Sequence, residues 1–183
     1  MATARAGLGA DDPGVRATAL GALERLGVLD TTTLVAALGD DDAVVRRRAA
    51  ELAATHPDVP LAGPLADPEP SVVEMAAWAC GERERVDDAD LDTVIGLAGD
   101  APDALVREAA VAALGAIGDD RGLDAILTAT ADKPAIRRRA VLALAPFVAP
   151  DHERAGEVAT ALERALTDRD WQVRQAAEDI TAD

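Results

Sequence analysis

The chain has 183 residues, of which 49% are hydrophobic, so it is long enough to build a continuous core. Acidic residues outnumber basic ones by 34 to 18, and the net charge of -16 argues against binding to nucleic acid or to an anionic membrane. Aromatic residues make up 2% of the chain, so alanine and small aliphatic residues must supply the packing. This favours closely spaced helices over sheets and predicts an all-α protein.

A step of valine or isoleucine followed by a charged or polar side chain recurs along the chain. Successive steps are separated by 30, 28, 33, 30 and 37 residues, and they begin at Val15, Val45, Val73, Val106, Ile136 and Val173. A period of this length is typical of stacked helical repeats. Each step opens a segment with apolar residues at helical spacing, and we call these segments the second helices.

The elements that precede the second helices complete the repeats, taken in chain order. A short segment and the turn DDPG come before the first of them, and TTTLVAALG with GDDDA comes before the second. The third is preceded by PDVPLAGPLA, whose prolines predict an interrupted helix and an irregular or kinked repeat. Apolar helices and acidic or proline-bearing turns precede the last three. Asp and Pro suit helix starts, so each unit is predicted to be helix, turn, helix.

The two ends of the chain differ from the middle. The short segment before the first turn predicts an incomplete repeat, with an apolar edge that could mediate a homodimer. The last helix, near 171–181, carries several polar residues and is predicted to be a solvated cap. The first residues include no apolar signal-peptide core and no run is long enough to span a membrane, which predicts a cytoplasmic protein. The acidic surface suits a cytoplasm of very high salt, as in halophilic archaea.

An arginine follows the apolar anchor in five of the six second helices. At 100° per residue this arginine borders the core face, and the aspartates of the turns, in its own or a neighbouring repeat, are its natural partners. An aspartate that caps a helix and also binds the paired N–H groups of an arginine (an arginine fork) would fix the position of each turn relative to the next. The sequence therefore predicts a structural ladder of Arg16, Arg46, Arg107, Arg137 and Arg174 with Asp40, Asp100, Asp132 and Asp168. The third repeat departs from it, with Glu74 in place of arginine.

These repeats resemble a known family. The stretches at Asp100–Asp119 and Asp168–Ala177 are similar to the short HEAT repeats of the phycobilin-lyase HEAT-like group. The resemblance covers nearly the whole chain and implies a right-handed α-solenoid of about five to six repeats, a single domain over residues 1–183. The second helices would line its concave surface. Members of the resembling group also act as accessory factors that attach a cofactor to another protein.

Catalytic and metal sites are not predicted. The HEAT-like deoxyhypusine hydroxylase holds two irons with several His-Glu pairs, whereas this chain has His152-Glu153 alone, and its other histidine, His56, is followed by Pro57. No nucleophile and base pair or glycine-rich phosphate loop is present. Cys80 lies in an apolar helical run and is predicted to be a buried thiol. We therefore predict a protein without metal or cofactor that is not an enzyme.

Candidate binding residues come from two arginine triplets and a tryptophan. The positions that follow the ladder arginine are basic in repeats two and five, and an aromatic residue opens the last helix, which gives Arg47, Arg48, Arg138, Arg139 and Trp171. Trp171 could pack on its own turn or contribute to a binding surface, while Trp78 is predicted to be buried. Two separated basic spots do not form a nucleic-acid groove. We expect a scaffold that binds a protein or peptide on its concave face; the alternative is an accessory lyase or chaperone-like factor for cofactor attachment.

Overall fold

The computed structural model describes residues 2–182, which form α-helices joined by short turns. Within these residues there is no β-strand, so the prediction of an all-α protein is confirmed. The α-helices are α1 (Ala2–Gly7), α2 (Pro13–Arg25), α3 (Thr31–Leu38), α4 (Ala43–Leu52), α5 (Ala62–Leu65), α6 (Pro70–Glu82), α7 (Asp88–Asp100), α8 (Ala104–Ile117), α9 (Leu123–Ala129), α10 (Pro134–Ala143), α11 (Ala155–Leu166) and α12 (Trp171–Thr181).

Aspartate and proline begin the second helices, which are α2, α4, α6, α8, α10 and α12. The side chain of Asp42 accepts a hydrogen bond from the backbone N–H of Val44 at 2.9 Å at the start of α4. Equivalent aspartate caps begin α2, α8 and α12. Helices α6 and α10 have no side-chain cap, but each begins with a proline, whose missing N–H suits the first helical turn.

The chain forms two compact units, the N-terminal unit ending at Arg85 and the C-terminal unit beginning at Val86. In the N-terminal unit α4 packs between α2 and α6, while α3 packs against α4 and α5 against α6. In the C-terminal unit α10 packs between α8 and α12, while α7 packs against α8 and α11 against α12. Each unit thus repeats one arrangement of paired helices. The assignment of residues 1–183 to one domain stays a prediction.

Small residues let the second helices approach closely. Alanines such as Ala49 in α4 and Ala110 in α8 are fully buried between their neighbours. A Cβ atom added to Gly115 of α8 would lie 2.5 Å from the Cα atom of Ala143 in α10, so the two helices touch along their backbones there. Larger side chains, with Phe147 the largest of them, fill the rest of each core. The alanine-rich composition therefore allows neighbouring second helices to pack closely.

The third repeat is irregular, as its prolines predicted. Helix α5 has four residues, and one of them is Pro64. The guanidinium of Arg83, at the end of α6, donates hydrogen bonds to the carbonyl oxygens of Ala53, His56 and Val59 at 2.9, 3.2 and 2.7 Å. One arginine thus binds three carbonyls of the segment that lies before the short helix, where regular helical hydrogen bonds are missing.

Candidate functional site

Arginine forks connect α2 and α4 of the N-terminal unit to the turn of the following repeat. Arg16 of α2 donates from Nε and Nη2 to the two carboxylate oxygens of Asp40, at 2.9 and 2.7 Å. Arg46 of α4 donates in the same way to Asp67, at 2.7 and 2.9 Å. Two parallel charge-assisted hydrogen bonds fix the angle between the groups as well as their distance.

The C-terminal unit repeats this arrangement. Arg107 of α8 donates to Asp132 at 2.8 and 3.2 Å, and Arg137 of α10 donates to Asp168 at 2.9 and 2.8 Å. Arg137 is buried, with 7% of the residue exposed. We call these four pairs the arginine ladder. Arg174 of α12 donates from Nη1 to the backbone carbonyl of Asp168 at 2.6 Å.

At the starts of α4 and α12 two aspartates divide the tasks, which corrects the prediction that one aspartate does both. Asp40 receives the arginine fork and also accepts the backbone N–H of Asp42 at 2.9 Å, while Asp42 caps α4. Asp168 and Asp170 divide the same tasks at the start of α12. In these two turns the carboxylate that pairs with an arginine folds the turn, and the aspartate two residues later begins the helix. Asp67 and Asp132 also accept a backbone N–H of their turns, but α6 and α10 begin without a side-chain cap.

One predicted ladder residue lies elsewhere and one ladder residue was missed. Asp100 is exposed in the last position of α7 and is not part of the four pairs. Six residues before Arg107 stands Ala101, whose carbonyl accepts from that arginine at 2.7 Å. Asp67 pairs with Arg46 across a proline-rich segment. The acidic turn ADPEPS was the signal that could have identified it.

The ladder changes the acidity of its carboxyl groups. The hydrogen bonds from Arg137 hold the pKa of Asp168 below its ordinary value, and burial opposes this shift. The same arginine hydrogen bonds lower the pKa of Asp40, Asp67 and Asp132. Each of these carboxylates is therefore more stable in the folded chain than in the unfolded one.

We expect the ladder to stabilise the protein at neutral pH and to fail in acid. A lowered pKa means that the unfolded chain takes up protons first, so the stabilisation is complete above the ordinary aspartate pKa of about 3.9 and is lost below it. An Asp168→Asn variant should lose about 1 to 3 kcal/mol at pH 7. The difference from the unsubstituted protein should shrink as the pH falls below about 4. Urea unfolding followed by circular dichroism measures it; a difference that stays constant into strong acid would contradict this account.

The two arginine triplets have one free member each. In α4, Arg48 pairs with Glu51 at 2.7 Å and lies over Gly21. In α10, Arg139 has its Nε atom 3.9 Å from Glu108, and this buried Nε has no hydrogen-bond partner. Within residues 2–182, neither of the middle arginines, Arg47 and Arg138, has a hydrogen bond or an ion pair. The candidate set of four arginines thus separates into two that face internal carboxylates and two that are free.

A groove between α10 and α12 brings Arg138 and Trp171 together. Its volume is about 250 Å³, and its lining is Arg138, Leu142, Trp171, Gln172, Gln175, Ala176 and Asp179. Trp171 is 65% exposed, which favours the binding-surface interpretation over packing on its own turn. The amide nitrogen of Gln175 donates to Asp179 at 2.8 Å. The groove therefore combines a free cation, an aromatic face and polar amides.

A second groove lies at the N-terminal edge, where an apolar surface for a homodimer was predicted. Its volume is about 380 Å³, and it lies between α2 and α3, where the pair of Arg16 and Asp40 forms part of its lining. Leu8 and Leu20 supply apolar surface, and Thr32 and Thr33 supply hydroxyl groups. The homodimer stays a prediction.

Several side chains fall outside these grooves. The prediction that Trp78 is buried is wrong, because this residue is 40% exposed while the adjacent Ala77 and Ala79 are buried. His56 contacts Glu24 at 2.8 Å, and His152 contacts Asp120 at 3.0 Å.

Across the described part of the chain, no group of three or more His, Cys, Asp and Glu side chains is placed to hold a metal ion. No helix in that part has the length and apolar character needed to cross a bilayer.

Residues 59–145 match the family model described as HEAT repeats. Among solved structures, the chain is similar to a designed armadillo repeat protein in complex with the peptide (KR)4. The TM-score is 0.68 at 16% identity, with 98% of this chain and 97% of that chain covered. This is a HEAT-like repeat fold. The prediction of an α-solenoid built from helix-turn-helix repeats is therefore confirmed.

Two further comparisons agree on the fold. An engineered protein is similar with a TM-score of 0.69 at 20% identity, covering 99% of this chain and 98% of that chain. Computationally designed armadillo repeat proteins for modular peptide recognition are similar with a TM-score of 0.63 at 19% identity, covering 99% of this chain and 90% of that chain. No curated protein sequence matches the chain.

Proposed function

We propose that the protein is a non-enzymatic scaffold that binds a peptide or a segment of another protein on the face formed by its second helices. The observation that carries this proposal is the groove between α10 and α12, where Trp171 is 65% exposed beside the free Arg138. Tryptophan and arginine are the residue types that most often dominate the energy of protein interfaces. A large exposed aromatic face beside an unpaired cation is therefore suited to a partner.

The repeat architecture supports the same proposal. Helices held by the ladder keep the groove in one geometry, so a partner pays less entropy to bind than it would to a mobile loop. The designed armadillo repeat protein with a similar fold is in complex with a peptide. Arg47 occupies in α4 the repeat position that Arg138 occupies in α10, which supplies a related contact in the N-terminal unit.

Selection from a displayed library of random peptides tests the proposal. We expect enriched peptides whose affinity falls about 10-fold or more in Trp171→Ala and Arg138→Ala, because these side chains would be central contacts. Binding is measured by fluorescence anisotropy with each purified variant. Arg139→Ala is the matched control, because Arg139 has the same side chain on the same helix but faces Glu108. Peptides that bind all four proteins equally, or no enrichment at all, would contradict the proposed binding face.

A further inference from the structure

The chemistry of the groove between α10 and α12 indicates which side chain it takes. Arg138 is half-buried in the groove and has no hydrogen bond or ion pair within residues 2–182. Its neighbour Arg137 is bound to Asp168, and Arg139 lies near Glu108. A partly desolvated guanidinium without a partner loses hydration that an incoming anion would replace. Arg138 therefore favours a ligand that brings a negatively charged hydrogen-bond acceptor into the groove.

Asp179, the acidic residue in the lining of the groove, is not paired with Arg138. Asp179 is exposed to solvent, and it accepts the amide N–H of Gln175 at 2.8 Å. This hydrogen bond uses one of the two N–H donors of the Gln175 amide and leaves its oxygen free to accept a peptide backbone N–H. Gln172 adds a second exposed amide, and Leu142 and Trp171 add apolar surface. These groups fit an extended backbone with apolar side chains around one charged residue.

We propose that the groove is a subsite for an acidic side chain of an extended peptide, with Arg138 binding the carboxylate. The inference rests on the proposed scaffold function and names the class of residue that the scaffold recognises in its partner. The flanking apolar side chains of the peptide lie against Trp171 and Leu142, and the glutamine amides bind its backbone. In a chain with a net charge of -16, this local cation makes recognition depend on placing one carboxylate at one position rather than on overall charge.

The two tryptophans provide the test, because the chain has two indole N–H groups. The probes are the capped tripeptides acetyl-Leu-Glu-Leu-amide, acetyl-Leu-Gln-Leu-amide and acetyl-Leu-Arg-Leu-amide, titrated into ¹⁵N-labelled protein. A Trp171→Phe variant assigns the two indole signals. We expect the glutamate peptide to shift the Trp171 signal and leave the Trp78 signal in place. The glutamine peptide should bind about 10-fold more weakly or worse, because it lacks the charge-assisted hydrogen bonds.

Variants of α10 decide the role of the arginine. Arg138→Ala should weaken the glutamate peptide about 10-fold and abolish its preference over the glutamine peptide. Arg138→Lys, which keeps the charge but loses the two-bond geometry, should weaken it less. Arg139→Ala should leave its affinity within about twofold, as expected of a substitution away from the contact. Added KCl should weaken the glutamate peptide more than the glutamine peptide.

Three results would overturn the inference, and the last of them would also overturn the proposed binding face. If the arginine peptide binds more tightly than the glutamate peptide, or if Arg138→Ala binds both acidic and neutral peptides unchanged, the acidic subsite is wrong and the groove remains a peptide site. If none of the three peptides moves the Trp171 signal, the groove is not a peptide site, and the proposed binding face fails with it.

Discussion

Replacement of Arg137 by alanine should cost about 2 to 4 kcal/mol of the free energy of unfolding. Arg137 is the buried member of the ladder, and its fork makes two hydrogen bonds to Asp168. Its Nη1 atom also donates to the backbone carbonyl of Asp132 at 2.9 Å. The substitution removes the arginine donor from a partly buried carboxylate and from a turn carbonyl. Leaving such acceptors unpaired costs more free energy than the net contribution of one hydrogen bond. Urea unfolding at pH 7 measures the change.

The adjacent residue supplies the control for this experiment. Arg138→Ala removes the same side chain from the same helix, but Arg138 has no partner in the described residues, so its loss should stay within about 0.5 kcal/mol. Arg137→Lys should fall between the two, because an ammonium keeps the charge but cannot form the planar two-bond contact. Equal losses for the alanine variants at the two positions would show that the ladder contributes no specific stability.

A methyl group on Gly115 should destabilise the C-terminal unit by about 2 kcal/mol, although alanine is the better helix former. The added Cβ would lie 2.5 Å from both the Cα and the Cβ atoms of Ala143. Because the contact is with backbone rather than with a flexible side chain, α8 and α10 must separate to admit the methyl group. Thermal unfolding of Gly115→Ala should show a melting temperature lower by about 4 to 8 °C.

Gly96 is the matched control for Gly115. It lies inside α7 of the same unit, and an added Cβ would meet nothing within 4 Å. Gly96→Ala should therefore gain about 0.5 to 1 kcal/mol from helix propensity. The two substitutions are chemically identical and opposite in expected sign. If Gly115→Ala is as stable as Gly96→Ala, the close approach of the two helices is not a constraint on the fold.

The fold could be predicted because its signals are local and repeated. The step from valine or isoleucine to a charged residue and the short acidic or proline-bearing turn before it define helix starts, and both recur in the six repeats. The partners of the arginines could be named only as a class, since Arg137 and Asp168 are 31 residues apart and the pattern fits the turn of its own repeat equally well. Which residue of a turn accepts the fork depends on turn geometry, and the second helix that precedes the turn of Asp100 carries Glu74 where the other helices carry the donor arginine.

The candidate binding residues were predicted less completely, for a related reason. A triplet of arginines offers three directions about 100° apart, and its sequence does not tell which directions meet internal carboxylates. Glu51 binds Arg48 and Glu108 lies beside Arg139, which leaves Arg47 and Arg138 for a partner. The accessory-factor alternative, the halophilic origin and the cytoplasmic location stay predictions.

The arginine ladder gives a direction to the repeats that it joins. The second repeat, for example, carries its acceptor carboxylate, Asp40, at its turn and its donor fork, Arg46, one to two helical turns later. The fork of one repeat therefore fits the turn of the next and not the reverse. A gene segment that encodes one such repeat could be duplicated in tandem, and the new joint would use contacts that already exist. The ladder therefore makes the array extendable by copying, while an inverted or misaligned repeat would leave a charge without its partner.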